Sequence, residues 1–430
     1  MTEKGLLQPT PPRAFEGLPG ELAEFLSMDT YSLLIKGESG TGKTLLALSI
    51  LRALQPTENQ LYLSTRTSPL QLVENFPWAE EIFGAAGGSA GSESADSGWE
   101  TLVDARLDEP NIVFERITNV LMDKSAPTVV VDSWESIADS LGVEALRTNI
   151  RVLQTWRERA GARFIFVGEE PARTDLDFMV EGVVVLKDKV TEGRRMREMI
   201  LSKLHGVRIS RPSYFFTLQG GTFTSFPAYA PRDYSFRNPL PVTLDRPYRR
   251  SKSRFPSGYA FLDEQLDGGY PAGSMVLVEV GPRVDLKVGL IFLSRILQGW
   301  VSMGENVILE KMKGVEARYL HRCAESFGGK GKIRLAPLGE APYGKGTKAL
   351  RIVDGSMERH EDPRKSKLTI ALGRSTDLAP GLAGIATVHI RILDVEGTLF
   401  VESDAPWSAH FGVTPMMTGG NPTMKLEPIV

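Results

Sequence analysis

An α/β fold, made of two tandem units with mainly parallel central sheets, is what this sequence predicts. Three observations carry that expectation. Short apolar runs alternate with helical patterns between residues 31 and 167, the signature of a parallel sheet covered on both faces. A glycine-rich turn joins the first apolar run to a helix. The same order of elements then recurs after residue 257, as an internal duplication would give.

The elements read in order as follows. Gln8–Arg13 is an extended, proline-rich lead-in, and Glu21–Met28 is a helical pattern. Tyr31–Lys36 reads as a buried strand, Gly37–Thr44 as the glycine turn, and Leu45–Leu54 as a helix with Leu45, Leu48 and Leu51 on one face. Leu61–Ser64 is the next strand, and the low-complexity stretch between Gly84 and Gly98 is expected to be a mobile loop. Thr128–Asp132, Arg147–Ala160 and Arg163–Val167 continue the strand–helix–strand alternation, and Val183–Phe226 shifts to hairpins. The spacing predicts a first domain over 13–226, a proline-rich and basic linker over 227–256, and a second domain over 257–430. In that second domain Met275–Val280, Lys287–Val301 and Asn306–Leu309 repeat the strand, helix and strand of the first.

Composition bounds the function. At 430 residues, 42% hydrophobic and 24% charged, the chain is of average globular make-up. Collagenous, coiled-coil and disordered classes are excluded. The formal net charge of −3 argues against a chain-wide nucleic-acid or membrane field. Cys323 is the single cysteine, which rules out an internal disulfide and a cysteine metal cage. Met1–Gly5 opens no apolar segment, so a cytoplasmic protein with no membrane partner is expected.

The chemistry begins at Gly37-Glu38-Ser39-Gly40-Thr41-Gly42-Lys43-Thr44, a full match to G-x-x-x-x-G-K-[ST] between a strand and a helix. Glycines let backbone N–H groups turn inward around phosphates, and the helix N-terminus adds its positive dipole end. Lys43 is placed to reach the β- and γ-phosphates of ATP, and the Thr44 hydroxyl to ligate Mg²⁺. Asp132, closing an apolar strand, is the natural second Mg²⁺ residue.

Strand, phosphate loop, Asp-terminated strand and trailing hairpins resemble the RecA-like ATPase core, and more narrowly its KaiC/RadA-type branch. The second half supports that branch: Gly258, Leu262-Asp263, Gly268-Gly269 and Pro271-Ala272-Gly273-Ser274 resemble its lead-in. The resemblance implies tandem RecA-like P-loop domains, the second degenerate. Within the branch, Phe15–Pro19, Ser32–Gly37 and Leu61–Arg66 are similar to the archaeal gas-vesicle regulator family GvpD. That likeness implies an ATP-binding regulator acting on a protein partner, a gas-vesicle transcription activator.

Three departures qualify the chemistry. RecA-like ATPases carry a glutamate about two dozen residues after the loop lysine, where it polarises the attacking water. Here Arg66 stands 23 residues after Lys43, and a guanidinium is no general base. Glu135, Glu169 and Glu170 are the carboxylates left as catalytic candidates, and slow or absent hydrolysis is expected. In the second half Gly281–Val288 occupies the loop position, but Leu286 replaces the second glycine and Val288 the hydroxyl, so one nucleotide per chain is expected. Glu310 and Asp354 there are read as inherited scaffold. Finally, Lys203-Leu-His205-Gly206 resembles the Lys-x-Arg-Gly segment with which KaiC-type subunits reach a neighbour's γ-phosphate, which implies a homo-oligomer. Lys203 and His205, two apart on a strand, are expected to project together.

The surrounding segment, Lys187–Arg211, holds eight basic against three acidic residues. With the linker run 246–254 the segment could bind an acidic partner or, less favoured, nucleic acid, and Arg194, Arg195 and Arg197 are the candidate contacts to an acidic partner surface. Three functions remain open at this level: a nucleotide-dependent switch, a RadA-type repair or recombination ATPase, and a pseudo-ATPase scaffold.

Overall fold

The computed structural model describes residues 15–54, 59–83, 101–230, 234–236, 253–338, 349–358, 366–418 and 420–430. The expected lead-in at Gln8–Arg13, the expected loop at Gly84–Gly98 and most of the basic run at Arg246–Arg254 lie outside these residues. The chain divides into two compact units between Ser225 and Phe226.

The first unit carries β1 (Tyr31–Lys36), β2 (Gln60–Ser64), β3 (Leu102–Asp104), β4 (Thr128–Asp132), β5 (Arg163–Gly168), β6 (Gly182–Thr191), β7 (Arg194–Leu204), β8 (Ser213–Thr217) and β9 (Thr224–Ser225). Its helices are α1 (Gly20–Leu26), α2 (Lys43–Ala53), α3 (Pro69–Asn75), α4 (Glu80–Phe83), α5 (Pro110–Asp123), α6 (Glu135–Ala138), α7 (Val143–Ala160) and α8 (Asp175–Met179). The strands form one sheet in the order β3-β2-β4-β5-β1-β6-β7-β8-β9. Pairing is parallel from β3 to β6 and antiparallel from β6 to β9.

Strand alternation explains why both faces are covered. Leu33, Ile35, Val130, Ile165 and Val167 join one buried cluster with Leu45, Leu48 and Leu51 of α2. Leu34, Val129, Val131, Phe164 and Phe166 point the other way, to Ile117 of α5 and Leu153 of α7. Two coverings leave only the strand ends exposed. The loops after β1, β4 and β5 therefore emerge together at one sheet edge, where ligands of open parallel sheets bind.

The second unit carries β10 (Arg254–Phe255), β11 (Tyr270–Pro271), β12 (Met275–Val280), β13 (Val307–Glu310), β14 (Ile333–Ala336), β15 (Leu350–Asp354), β16 (Leu368–Arg374), β17 (Val388–Val395), β18 (Thr398–Ala405), β19 (Phe411–Thr418) and β20 (Asn421–Pro428). Its helices are α9 (Ala260–Gln265), α10 (Leu286–Ser302), α11 (Ala317–Glu325) and α12 (Leu382–Ile385). The main sheet has the order β14-β13-β15-β16-β12-β17-β18-β19-β20, element for element the topology of the first. The duplication seen in the sequence is thus a duplication of fold. Both sheets are mainly parallel. Among the described residues, no helix is long and apolar enough to cross a membrane.

The segment 227–256, expected as a linker, behaves differently where it is described. Tyr234, Phe236 and Phe255 are buried in the core of the second unit. Phe236 packs against Tyr319 and Phe327, and Phe255 against Trp300 at a centroid distance of 4.6 Å. Its prolines mark turns, but its aromatics carry too much apolar surface to leave in water.

Candidate functional site

The phosphate loop is set by two glycines whose backbone no other residue could adopt there. Gly37 has φ +153°, and a Cβ would lie 2.2 Å from the Leu186 carbonyl oxygen. Gly42 has φ +100°, and a Cβ would strike Leu218 at 2.9 Å. The Thr41 hydroxyl donates to the Glu38 carbonyl at 2.8 Å, closing the turn. Glu38, Ser39 and Gly40 form its exposed rim.

From Lys43 the eleven-residue helix α2 begins, with Gly42 at its cap, no capping side chain and no acidic residue in its first turn. Among the described residues no side chain caps its first N–H groups, the arrangement an anion requires. The Lys43 ammonium is buried and donates to the Gly37 and Glu38 carbonyls, each at 2.8 Å. Burial pulls its pKa down, against the charges of Asp132 and Glu135, and nearby Arg66 adds to the lowering.

Thr44 and Asp132, 88 residues apart, meet here: the Thr44 hydroxyl donates to Asp132 Oδ2 at 2.7 Å. The Tyr62 hydroxyl donates to the same oxygen at 2.6 Å. Burial raises the Asp132 pKa, opposed by these two hydrogen bonds and by Lys43 and Arg66. One hydroxyl and one oriented carboxylate beside an anion cradle fit Mg²⁺ shared with phosphates, since that ion takes few protein ligands. Tyr62 escaped the sequence reading. Strand alternation places it level with Ser64 on the face of β2, and that was the available signal.

Of the catalytic candidates, the structure separates the three carboxylates. Glu169 is ion-paired with Arg66. Glu170 accepts from its neighbour Ala172 N at 2.9 Å and is exposed. Glu135 is different: its Oε1 accepts from Glu169 N at 2.7 Å and Glu170 N at 3.3 Å, while its Oε2 is buried with no hydrogen-bond partner among the described residues. Burial pushes its pKa up, opposed by the backbone N–H groups and by the Lys43 charge.

Other expectations meet a different geometry. The Lys203 ammonium does not project beside His205. It donates to Val180 O at 2.5 Å and Asp177 O at 3.3 Å, drawn by the carbonyls that end α8, while His205 lies exposed in the turn beyond β7. Arg194 and Arg197 are buried, so among the three arginines only Arg195 is exposed. The hairpin partner supplies a counter-charge to two of the three. Asp188 pairs across from Arg197 and draws Arg195 and Arg197 to 3.3 and 3.6 Å. Arg197 also donates to the Gly40 carbonyl at 3.0 Å, tying β7 to the phosphate loop.

Residues 27–224 match the family described as "ATPase: KaiC". The match spans nearly the whole first unit, which is similar to a KaiC-type ATPase domain. The chain is 29% identical to protein GvpD1 of Halobacterium salinarum over 287 residues, covering 63% of this chain and 52% of that protein. It is 28% identical to GvpD2 of the same organism over 285 residues, with 63% and 57% covered. The circadian clock oscillator protein KaiC of Rippkaea orientalis is 27% identical over 318 residues, with 69% and 56% covered. The chain therefore spans just over half the length of the curated relatives it matches. Similarity to KaiC and to the GvpD proteins agrees with the resemblance read from the sequence.

The second unit keeps the KaiC-like topology and fills its own anion site. Asp285 caps α10, its carboxylate accepting from Lys287 N at 2.9 Å. The Tyr229 hydroxyl accepts from Asp285 N at 3.1 Å. Leu286 and Val288 turn into the core, and the Lys287 ammonium sits 5.2 Å from the centre of the Tyr319 ring. Asp354 accepts from Lys313 N and Ser356 N, and Glu310 accepts from Asp354 N, so both carboxylates hold backbone N–H groups.

Proposed function

We infer that this chain is an ATP-binding regulatory protein of the KaiC/GvpD type, in which Mg·ATP held by the first unit sets the affinity for a protein partner and hydrolysis is slow. The observation that carries this reading is the pairing of an uncapped α2 N-terminus and a Thr44–Asp132 contact with Arg66 where a water-polarising glutamate would stand. Gly37–Thr44 would bind the phosphates, and Thr44 with Asp132 would hold Mg²⁺. The ion, when bound, would neutralise charge on the β- and γ-phosphates. Glu135 would orient the attacking water and accept its proton. The partner class is the one the GvpD likeness suggests, a transcription activator, and the setting is cytoplasmic.

Two experiments test the chemistry. Turnover of the purified protein is expected far below the ~10 s⁻¹ median of enzymes. Arg66→Glu should raise it, and Glu135→Gln should remove what remains. Because burial raises the Glu135 pKa, the acid limb of the wild-type rate should lie above the ordinary glutamate range. A wild-type turnover near the median, or a Glu135→Gln rate equal to wild type, would refute the assignment.

Isothermal calorimetry should count one ATP per chain, because Asp285 occupies the anion position of α10. Two equivalent sites, or a residual site in Lys43→Ala, would overturn that. The recombination-type alternative is disfavoured by charge. Beside the site Asp139 and Glu170 are exposed with no cationic partner among the described residues, and they repel phosphodiesters.

A further inference from the structure

Beside the phosphate loop, the ends of β1 and β5, the segment after β4 and helices α6 to α8 line an open cavity of about 580 Å³, of whose lining only Glu135 takes part in the proposed ATP chemistry. Its floor is apolar, built by Trp134, Leu141, Leu146 and Ile150. Its walls carry five carboxylates, those of Glu135, Asp139, Glu169, Glu170 and Asp175, against the single cation Lys36. That cation is already neutralised by Asp177 at 2.5 Å. Arg147 neutralises Asp175 at 2.9 Å, and Arg66 neutralises Glu169. Among the described residues, Asp139 and Glu170 face the mouth with no cationic partner. The volume lies within the ~300–1,000 Å³ typical of ligand sites.

We propose that this cavity docks a basic segment of the partner protein, an apolar side chain entering the floor and flanking Lys or Arg side chains meeting the acidic mouth, and that the Arg66–Glu169 ion pair makes docking depend on nucleotide. The charge complementarity excludes an acidic or nucleic-acid occupant, and the apolar floor needs a side chain rather than a bare cation. Arg66 is the link to ATP. Its charge acts on Lys43 and Asp132 at the phosphate site, while its guanidinium pairs with Glu169 on the cavity wall. Both residues retain exposure, 53% for Arg66 and 33% for Glu169, so the pair can open. Phosphate charge at Lys43 competes for Arg66 and leaves Glu169 to the basic segment. By linkage, the segment tightens ATP binding by the same factor.

The nucleotide dependence rests on the ATP-switch reading; the docking surface does not, and the test separates them. The probe is a fluorescein-labelled peptide with a central Leu-Leu flanked by lysines. One control replaces Leu-Leu by Ser-Ser, and another replaces the lysines by glutamates. Saturable binding of the first peptide alone is expected, tightened by about five- to tenfold with a non-hydrolysable ATP analogue, the latter being about 1.4 kcal/mol. Asp139→Lys with Glu170→Lys should weaken the peptide by about tenfold or more while analogue affinity holds within about twofold, which shows an intact fold. Glu169→Gln should erase the nucleotide effect. No saturable binding, equal binding of the acidic peptide, or equal binding to the double-lysine variant would overturn the docking surface. An analogue that fails to bind wild type would instead sink the ATP reading, with the peptide comparison still decisive without nucleotide.

Discussion

Lys43→Ala is expected to weaken Mg·ATP binding by about a hundredfold or more, about 2.8 kcal/mol, in a titration with a fluorescent ATP analogue. The lysine is the one cation among Gly37–Thr44, and it is buried between the Gly37 and Glu38 carbonyls at the start of α2. Its removal takes away the charge that faces the β- and γ-phosphates and leaves only helix dipole and backbone N–H groups. A companion variant keeps the result interpretable. Thr44→Ala should retain nucleotide binding in EDTA yet lose the gain that Mg²⁺ provides, because it deletes the hydroxyl that sits against Asp132. Equal affinities in wild type and Lys43→Ala would remove the phosphate site from this loop.

The second large effect lies in the other unit. Glu402 on β18 is fully buried. It is ion-paired with Arg391 across the β17–β18 hairpin and lies 2.7 Å from His410 Nδ1. Burial alone would raise its pKa, but the hydrogen bonds and charges of His410 and Arg391 win and hold it at about 2. The folded value lies below the unfolded one near 4.5, so the carboxylate contributes stability that is complete above pH ~4.5 and lost as pH falls towards about 2. That difference corresponds to about 3 kcal/mol. Glu402→Gln should therefore raise hydrogen exchange in β17 and β18 at pH 7 and abolish their acid sensitivity between pH 5 and 2. Exchange that is unchanged at pH 7 would mean that the network contributes nothing net, as buried pairs sometimes do.

Much of the site was legible because its parts are local. Gly37, Gly42, Lys43 and Thr44 lie within eight consecutive residues, and their geometry depends on one strand, one turn and one helix. Asp132 was legible as the end of an apolar run. The degeneracy of the second unit was also visible, in Leu286 and Val288, yet what replaces the ligand was not. Asp285 reads as an ordinary loop acid until α10 is seen to begin on it, and Tyr229 lies in a segment whose composition suggested only a linker.

The basic segment was legible in part: Lys187, Lys189, Arg195 and Arg208 are exposed, as a charged surface requires. Eight cations in twenty-five residues suggested a charged surface, but Arg194 and Arg197 are buried and Lys203 is turned onto the α8 carbonyls. Charge counts along a chain do not record which carboxylate or carbonyl the sheet will bring opposite. The acidic cavity was invisible for the same reason, since its walls come from the ends of β1 and β5, the segment after β4 and three helices.

The sequence by itself determined the strand–turn–helix with its glycines, the repeat of that order, the lost ligands of the second loop and the arginine at the hydrolytic position. Each follows from backbone sterics or side-chain chemistry acting over a few residues. Only the tertiary structure decided that Thr44 touches Asp132, that Arg66 pairs with Glu169 and that Glu135 keeps a buried, unpartnered oxygen near Lys43. Those contacts join residues tens to a hundred positions apart, and parallel pairing of the strands sets them through a register that no local propensity encodes.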